Sequence, residues 1–189
     1  KGNILKDKEI KSMAKDPIIF ALANPIPEID YRHAKEVCPT AIIATGRSDT
    51  ANQINNVLAF PYLFRGALDT LSTTINEDMK LAAAYAIAGI ARKKTPEEIE
   101  NRYNRKLLFG KEYLLPTPGD SRLLCEVSTA VAHAAMESGV ARRNIVSFKE
   151  YRETLTRRID NENFFAKECL KRKNSKKRHI NTSSREHEF

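Results

Sequence analysis

Tryptophan is absent from this sequence, cysteine occurs three times and glycine only seven. Cys38, Cys125 and Cys169 are odd in number, far apart and accompanied by no CxxC or Cys/His cluster, so neither a disulfide framework nor a zinc site is expected. No GxGxxG or Walker loop is present to cradle phosphates, and no HExxH or GxSxG motif to support hydrolysis. At most half of a nucleotide site can be written here. No apolar run approaches the roughly 18 to 20 residues that span a bilayer, and the opening "KGNILKDKEIKSMAKD" is too charged for the apolar core of a signal peptide. The expectation is a cytoplasmic protein with no membrane partner.

What remains is a chain of 189 residues, 41% hydrophobic and 30% charged, enough for one globular domain and a tail. Its net charge of +8 is unevenly placed: from Arg157 onward ten Lys/Arg face five Asp/Glu. That segment has too few apolar side chains to offset the entropy of ordering, and 159–189 is expected to be a basic, disordered tail. A nucleic-acid partner is not expected. Phe20, Tyr62, Phe64, Phe109 and Tyr113 sit in apolar stretches, whereas base-stacking platforms interleave aromatics with Lys/Arg on an open face.

Punctuation divides the remainder. Asp7 is positioned to cap a helix through about Lys15, which the Asp16-Pro17 pair stops. Ile18 to Leu22 is then a continuous apolar run, the pattern of a strand buried on both faces. Asp30 caps "YRHAKEV", Pro39 ends it, and "AIIAT" repeats the buried-strand pattern. Helix, strand, helix, strand implies two adjacent parallel strands with a helical crossover, part of a doubly wound α/β sheet. Everything downstream reads helical. Pro61 starts one helix; Thr74 and Glu77 have capping-box spacing; Thr95, Pro96 and Glu98 mark another start; Ser147 and Glu150 a third. In "SRLLCEVSTAVAHAAMESG", Leu123, Leu124, Val127, Val131, Ala134 and Ala135 share one face, and Gly139 is a C-terminal cap. His133 reads as a packed or half-exposed side chain. Two strands make a poor sheet, so further strands are expected upstream of Lys1.

In a doubly wound sheet, ligands lie beyond the carboxyl ends of the strands. The polar loops "NPIPE" and "GRSDTANQINN" both fall at that edge. Asn24, Asn52, Gln53, Asn55 and Asn56 each donate and accept hydrogen bonds without charge, which suits a carboxamide or a substrate carboxylate or hydroxyl. Arg47 has the fork to grip a carboxylate with two parallel bonds. The same residue types also cap helices and close turns, and spacing alone leaves both readings open.

The stretches "PIIFALANPIPEI", "AIIATGRSDTANQINNVLAFPYLFRGALDTLSTTINEDMKLAAAYAIAGIA" and "AVAHAAMESGVARR" resemble, in consecutive order over about residues 1–158, the C-terminal part of the NAD(P)-binding domain of bacterial-type malic enzymes. The resemblance implies a partial Rossmann-like parallel sheet, rich in helices. It also implies oxidative decarboxylation of L-malate to pyruvate with NAD or NADP and Mg²⁺ or Mn²⁺, in a homo-oligomer. It places Asn24, Asn55 and Asn56 against the cofactor, and Asn24 and Asn56 also against substrate. Arg47, Ser48 and Asp49 are expected only to shape their loop. The family's catalytic tyrosine and lysine, its acidic metal ligands and its Gly-rich phosphate turn all precede the matched region, so no catalytic residue and no metal ligand is assigned here.

By that reading the chain is a piece of a malic enzyme, inactive alone. Its last residues resemble the start of a junction to a phosphotransacetylase-like region before turning polar. The alternative expectation is a non-catalytic binding or assembly module derived from the same domain.

Overall fold

The computed structural model describes residues 2–47 and 49–159. The polypeptide divides into two compact units, Lys1–Val146 and Ser147–Phe189. The expected tail from residue 159 lies, apart from Ile159, outside the described residues.

The first unit opens with a short helix, α1 (Asp7–Lys11), whose N-cap is Lys6 rather than the expected Asp7. Glu9 makes the difference: its carboxylate accepts from the Lys6 backbone N–H, so one free donor of the first turn is satisfied a residue earlier. The helix ends at Lys11, four residues short of the expected stop, and Asp16 before the proline adopts a left-handed φ of 53°.

Strand β1 (Ile18–Ala21) and strand β2 (Ile42–Thr45) pair in parallel, Ile18 opposite Ile42 and Ala21 opposite Thr45. The crossover contains α2 (Tyr31–Val37), where the Asp30 carboxylate accepts from the backbone N–H groups of Arg32 and His33, a cap fully legible in the sequence. Ile10, Ile19, Ala21, Ile29, Ala34, Ala41 and Ile43 form the apolar core beneath this sheet. One expectation fails here. Strand β1 is not buried on both faces: Ile18, Phe20 and Leu22 are 63, 53 and 39% exposed while Ile19 and Ala21 are buried. Successive side chains leave a strand on opposite faces, and among the described residues only one face is covered.

A larger core lies among three helices, α3 (Phe60–Asp69), α4 (Glu77–Arg92) and α6 (Arg122–Glu137). Helix α3 begins one residue before the expected start, with Pro61 in its first turn, where the missing N–H has no intrahelical partner to lose. The expected Thr74–Glu77 box is replaced by Asn76, whose side-chain oxygen accepts from Met79 N–H at 3.1 Å. Helix α6 buries Leu123, Val127, Ser128, Val131, Ala132, Ala134 and Ala135; of the expected face only Leu124 is partly open. The close approach of α3 is permitted by Gly66, at which a Cβ would lie 2.7 Å from the Ser128 carbonyl oxygen and 2.8 Å from Val131. Between α4 and α6, α5 (Glu97–Tyr103) packs Ile99 with Ala91, Leu107 and Tyr113 in a third small core.

The second unit contributes a helical segment over 148–159, and its start carries the expected signal: Ser147 Oγ accepts from Glu150 N–H at 3.3 Å.

Candidate functional site

Three chain segments end at one edge of the sheet. Strand β1 leads into Asn24 and β2 into Gly46, while Gln53 forms a parallel bridge with Thr45 and Ile54 N–H donates to the Thr45 carbonyl at 2.8 Å. Thr45 already faces Ala21 across the sheet. A strand has only two edges, so the 53–54 segment runs along the side of β2 away from β1. The loops that follow these three segments carry Asn24, Arg47 to Asp49, and Asn55 with Asn56.

Gly46 decides how the first two loops meet. A Cβ there would stand 3.2 Å from the Asn24 amide nitrogen and 3.3 Å from its oxygen, so the bare backbone of Gly46 lets that amide lie against the end of β2. The Asn24 loop is held from behind. Glu28 accepts from Ala23 N–H at 3.0 Å, and this bond is the main reason its carboxyl titrates below the ordinary range. The N-terminal segment adds two straps, Asn3 N–H to the Pro27 carbonyl and Leu5 N–H to the Glu28 carbonyl.

The four asparagines divide by how far their amides are already used. Asn52, 5% exposed and with a left-handed φ of 52°, donates to the carbonyls of Ile43 (2.9 Å) and Lys111 (2.7 Å) and accepts from Leu114 N–H (2.8 Å). It ties β2 to the turn 59 to 62 residues further on, with both its donors and one acceptor site of its oxygen committed to the fold. Asn55 is half committed, its oxygen capping the 3₁₀ turn Asn56–Leu58 through Val57 N–H at 3.0 Å. Asn24 and Asn56 are exposed, and among the described residues their side chains make no hydrogen bond. Committed and uncommitted amides are therefore present in one loop system, and position separates them.

Arg47 finds its carboxylate within its own loop. Its Nε and Nη2 donate to the two oxygens of Asp49 at 2.8 and 2.7 Å, the bidentate geometry expected for a ligand but turned inward. This pair lowers the Asp49 pKa to about 2 and raises that of Arg47. Ser48 lies outside the described residues. Beneath the loop, the buried Thr45 hydroxyl bonds Thr50 Oγ1 at 2.6 Å and accepts from Arg47 N–H at 3.1 Å.

Two adjoining cavities open beside this loop. One, of about 210 Å³, is lined by Asp49 to Gln53 together with Tyr103, Arg105 and Tyr113 among others. The second, of about 380 Å³, is lined by Asp30, Arg32, Arg47, Asp49, Arg105 and Glu112 among others. Neither is lined by Asn24, Asn55 or Asn56. Glu112 is held by Lys35 at 2.6 Å and by the Tyr31 hydroxyl. Burial opposes its ionisation, yet these two partners outweigh burial and its pKa is lowered; burial and then the Glu112 bond raise the Tyr31 pKa. No sequence signal joins Tyr31 to Glu112, 81 positions apart. Among the described residues, no group of three or more His, Cys, Asp and Glu side chains is placed to hold a metal ion.

Residues 2–103 match the model of the malic enzyme NAD-binding domain, a region containing both strands and all four asparagines. The chain belongs to the malic enzyme family. It is 55% identical over 161 residues to the probable NADP-dependent malic enzyme of Rickettsia prowazekii, covering 85% of this chain and 21% of that one. To the NADP-dependent malic enzyme of Escherichia coli it is 52% identical over 165 residues, 87% of this chain and 22% of that one. Among solved structures, the malic enzyme of Pyrococcus horikoshii superposes with a TM-score of 0.73 at 38% identity, covering 93% of this chain and 37% of that one. The Entamoeba histolytica malic enzyme does so at 0.78 and 30% identity, with 92% and 33% coverage. The malic-enzyme chain thus spans about a fifth of the length of these two curated relatives. Its helix-rich fold with a small parallel sheet is that of the solved malic enzymes.

Proposed function

We propose that this chain supplies the nicotinamide-facing wall of a malic enzyme active site, for oxidation and decarboxylation of L-malate to pyruvate with NAD or NADP. One observation carries the reading: Asn24 and Asn56 are the two asparagines of the loop system whose amides are exposed and uncommitted, and Asn24 lies against Gly46 at the carboxyl edge of the parallel pair. That edge is where dinucleotides and their substrates bind in open α/β sheets.

Each amide presents a donor and an acceptor at a fixed position. A nicotinamide carboxamide needs one of each; a malate carboxylate or hydroxyl takes the donor. NAD(P), when bound, supplies the hydride acceptor. The residues here bind and orient: Asn24 and Asn56 hold the reacting groups together, Asn55 contributes its free NH₂ while its oxygen keeps the 3₁₀ turn in place, and the Arg47–Asp49 pair stiffens the intervening loop. Proximity of this kind lowers the barrier by removing translational and rotational freedom. The described residues do not fit a divalent metal site, and no step is assigned to one. The malic-enzyme portion is taken to extend over 1–158, and the complete enzyme to be a cytoplasmic homo-oligomer. The chain alone binds without turning over.

Calorimetric titration with NADP and with NAD, each with and without malate, tests this. We expect weak, saturable binding that Asn56→Ala weakens by about tenfold, the loss of one hydrogen bond of roughly 1 to 1.5 kcal/mol. Equal binding by the parent chain and the variant sinks the assignment.

A further inference from the structure

The two cavities beside the loop after β2 involve none of Asn24, Asn55 and Asn56, and the charges around them do not close on one another. The cavity of about 380 Å³ carries three arginines on its wall, Arg32, Arg47 and Arg105, with Asp30, Asp49 and Glu112. The carboxylates are already engaged. Asp49 takes the Arg47 fork, Glu112 takes Lys35 and the Tyr31 hydroxyl, and Asp30 caps α2. With Lys35 included, four cations face three carboxylates and one positive charge is in excess.

Arg32 and Arg105 are the two cations left over. Both are exposed, and among the described residues neither guanidinium makes a hydrogen bond or an ion pair. They come from distant parts of the chain, the first turn of α2 and the segment after α5, yet stand on one cavity. The field of each reaches across it. Asp49, brought to a pKa of about 2 first by its Arg47 bond, also feels Arg32. Glu112, whose ionisation burial opposes and the Lys35 and Tyr31 bonds favour, also feels Arg105. Two unpaired guanidiniums on one wall repel each other, and an anion between them removes that cost.

The smaller cavity tells what the anion is attached to. It shares Asp49, Thr50, Ala51 and Arg105 with the first, so Arg105 belongs to both. Its wall also includes Tyr103, Leu115, Pro116 and Pro118, with Gln53 and Thr117 among them. Thr117 is 9% exposed, and its hydroxyl oxygen is buried without a hydrogen-bond partner among the described residues. Buried hydroxyls are normally paired, and an unpaired one on a cavity wall points to a partner that enters from the cavity. Apolar side chains with one amide and one hydroxyl suit a small organic body that carries a polar group. At about 210 Å³ the space admits a single ring or a short chain, not a dinucleotide. As for the anion, a carboxylate satisfies one guanidinium fork, whereas the tetrahedral terminal oxygens of a phosphate serve two.

We propose that the joined cavities bind a small phosphomonoester, its phosphate between Arg32 and Arg105 and its organic body along Gln53 and Thr117. The site is separate from that of Asn24 and Asn56 and goes beyond the nicotinamide reading.

Calorimetric titration of the intact chain at low ionic strength with inorganic phosphate, phenyl phosphate, 4-hydroxyphenyl phosphate and benzoate tests this. Both esters should bind one to one and several-fold tighter than inorganic phosphate or benzoate. Arg32→Ala and Arg105→Ala should each weaken 4-hydroxyphenyl phosphate by about tenfold or more, the loss of a charged hydrogen bond, with native circular dichroism because both side chains lie on the surface. Arg105→Lys keeps the charge without the fork and should recover only part of the affinity. Thr117→Val, similar in shape but without the hydroxyl, should abolish the preference for 4-hydroxyphenyl over phenyl phosphate. No binding of either ester, or affinity unaltered in both alanine variants, overturns the proposal. Inorganic phosphate binding as tightly as the esters overturns it by removing the organic body, and benzoate matching phenyl phosphate does so by making the anion a carboxylate. Titration with NADP separates the two sites: Arg32→Ala should match the parent chain, and a parallel loss of NADP affinity overturns the separation. Asn56→Ala should leave ester binding unchanged, so failure of the nicotinamide reading leaves this site standing.

Discussion

Asn52 is the residue on which the loop geometry turns. Its amide makes three hydrogen bonds, to Ile43, Lys111 and Leu114, inside a site only 5% exposed. Replacing it by alanine strands two carbonyls and one N–H, and adds strain at a left-handed φ that alanine tolerates poorly. Asn52→Ala should cost roughly 2 to 4 kcal/mol, from about 1 kcal/mol per hydrogen bond plus the unpaired groups, measured by urea unfolding. At the neighbouring position Asn56→Ala should leave the urea midpoint unchanged, since that amide holds nothing in the fold. His33 provides the pH-dependent contact. Its Nε2 lies 2.7 Å from the Asp7 carboxylate, and this bond raises the His33 pKa above 6.5. A raised histidine pKa means stabilisation that is fully present below 6.5 and is lost as pH rises through the folded value. The protection factors of the α1 amides, exchange rates corrected for their intrinsic pH dependence, should therefore fall on the alkaline side of pH 6.5 in the parent chain but not in His33→Ala. The composition of "GRSDTANQINN" pointed correctly to a polar edge, yet nothing in it distinguished Asn52 from Asn56; that depends on the turn at 110–113 arriving beneath β2.

Among the elements, the α3–α6 contact is the least tolerant of change. With 2.7 Å between a Gly66 Cβ and the Ser128 carbonyl oxygen, Gly66→Ala forces the helices apart despite the better helix propensity of alanine. Overpacking of this kind costs about 1 to 3 kcal/mol, against a propensity gain of about 0.8 to 1 kcal/mol, and contact with a backbone oxygen, which cannot swing aside, puts the cost in the upper part of that range. Thermal unfolding should show a lower midpoint for Gly66→Ala, while Gly89→Ala, whose added Cβ meets nothing within 4 Å, should raise it. Most elements were legible from local chemistry. The Asp30 cap, the Ile18 and Ile42 runs, Pro61 and the apolar spacing of α6 all act within a turn or two of chain, and the helices and strands stand where those signals put them. Boundaries differ where two caps compete, as at Thr74 against Asn76: both side chains offer an oxygen, and Asn76 in addition donates to Ser138 Oγ at 2.9 Å, a partner 62 positions away that local spacing does not reveal.

For the whole molecule, ligand linkage offers a global check. A cofactor that binds only the folded chain at ten times its dissociation constant adds about 1.4 kcal/mol of stability, so NADP should raise the melting temperature of the parent chain by clearly more than that of Asn24→Ala, for which a tenfold weaker site leaves about 0.4 kcal/mol. The amino-acid sequence by itself determined the family, the parallel βαβ unit and the edge at which its polar loops gather, because caps, periodicity and motif order are local and additive. Only the tertiary structure decided which amides remain free, that Arg47 closes on Asp49, and that β1 and α3 each keep an apolar face open. The amides are sorted by partners about sixty residues away, the Arg47 fork by a choice of side-chain geometry that spacing does not fix, and burial is a property of the assembled surface rather than of any residue.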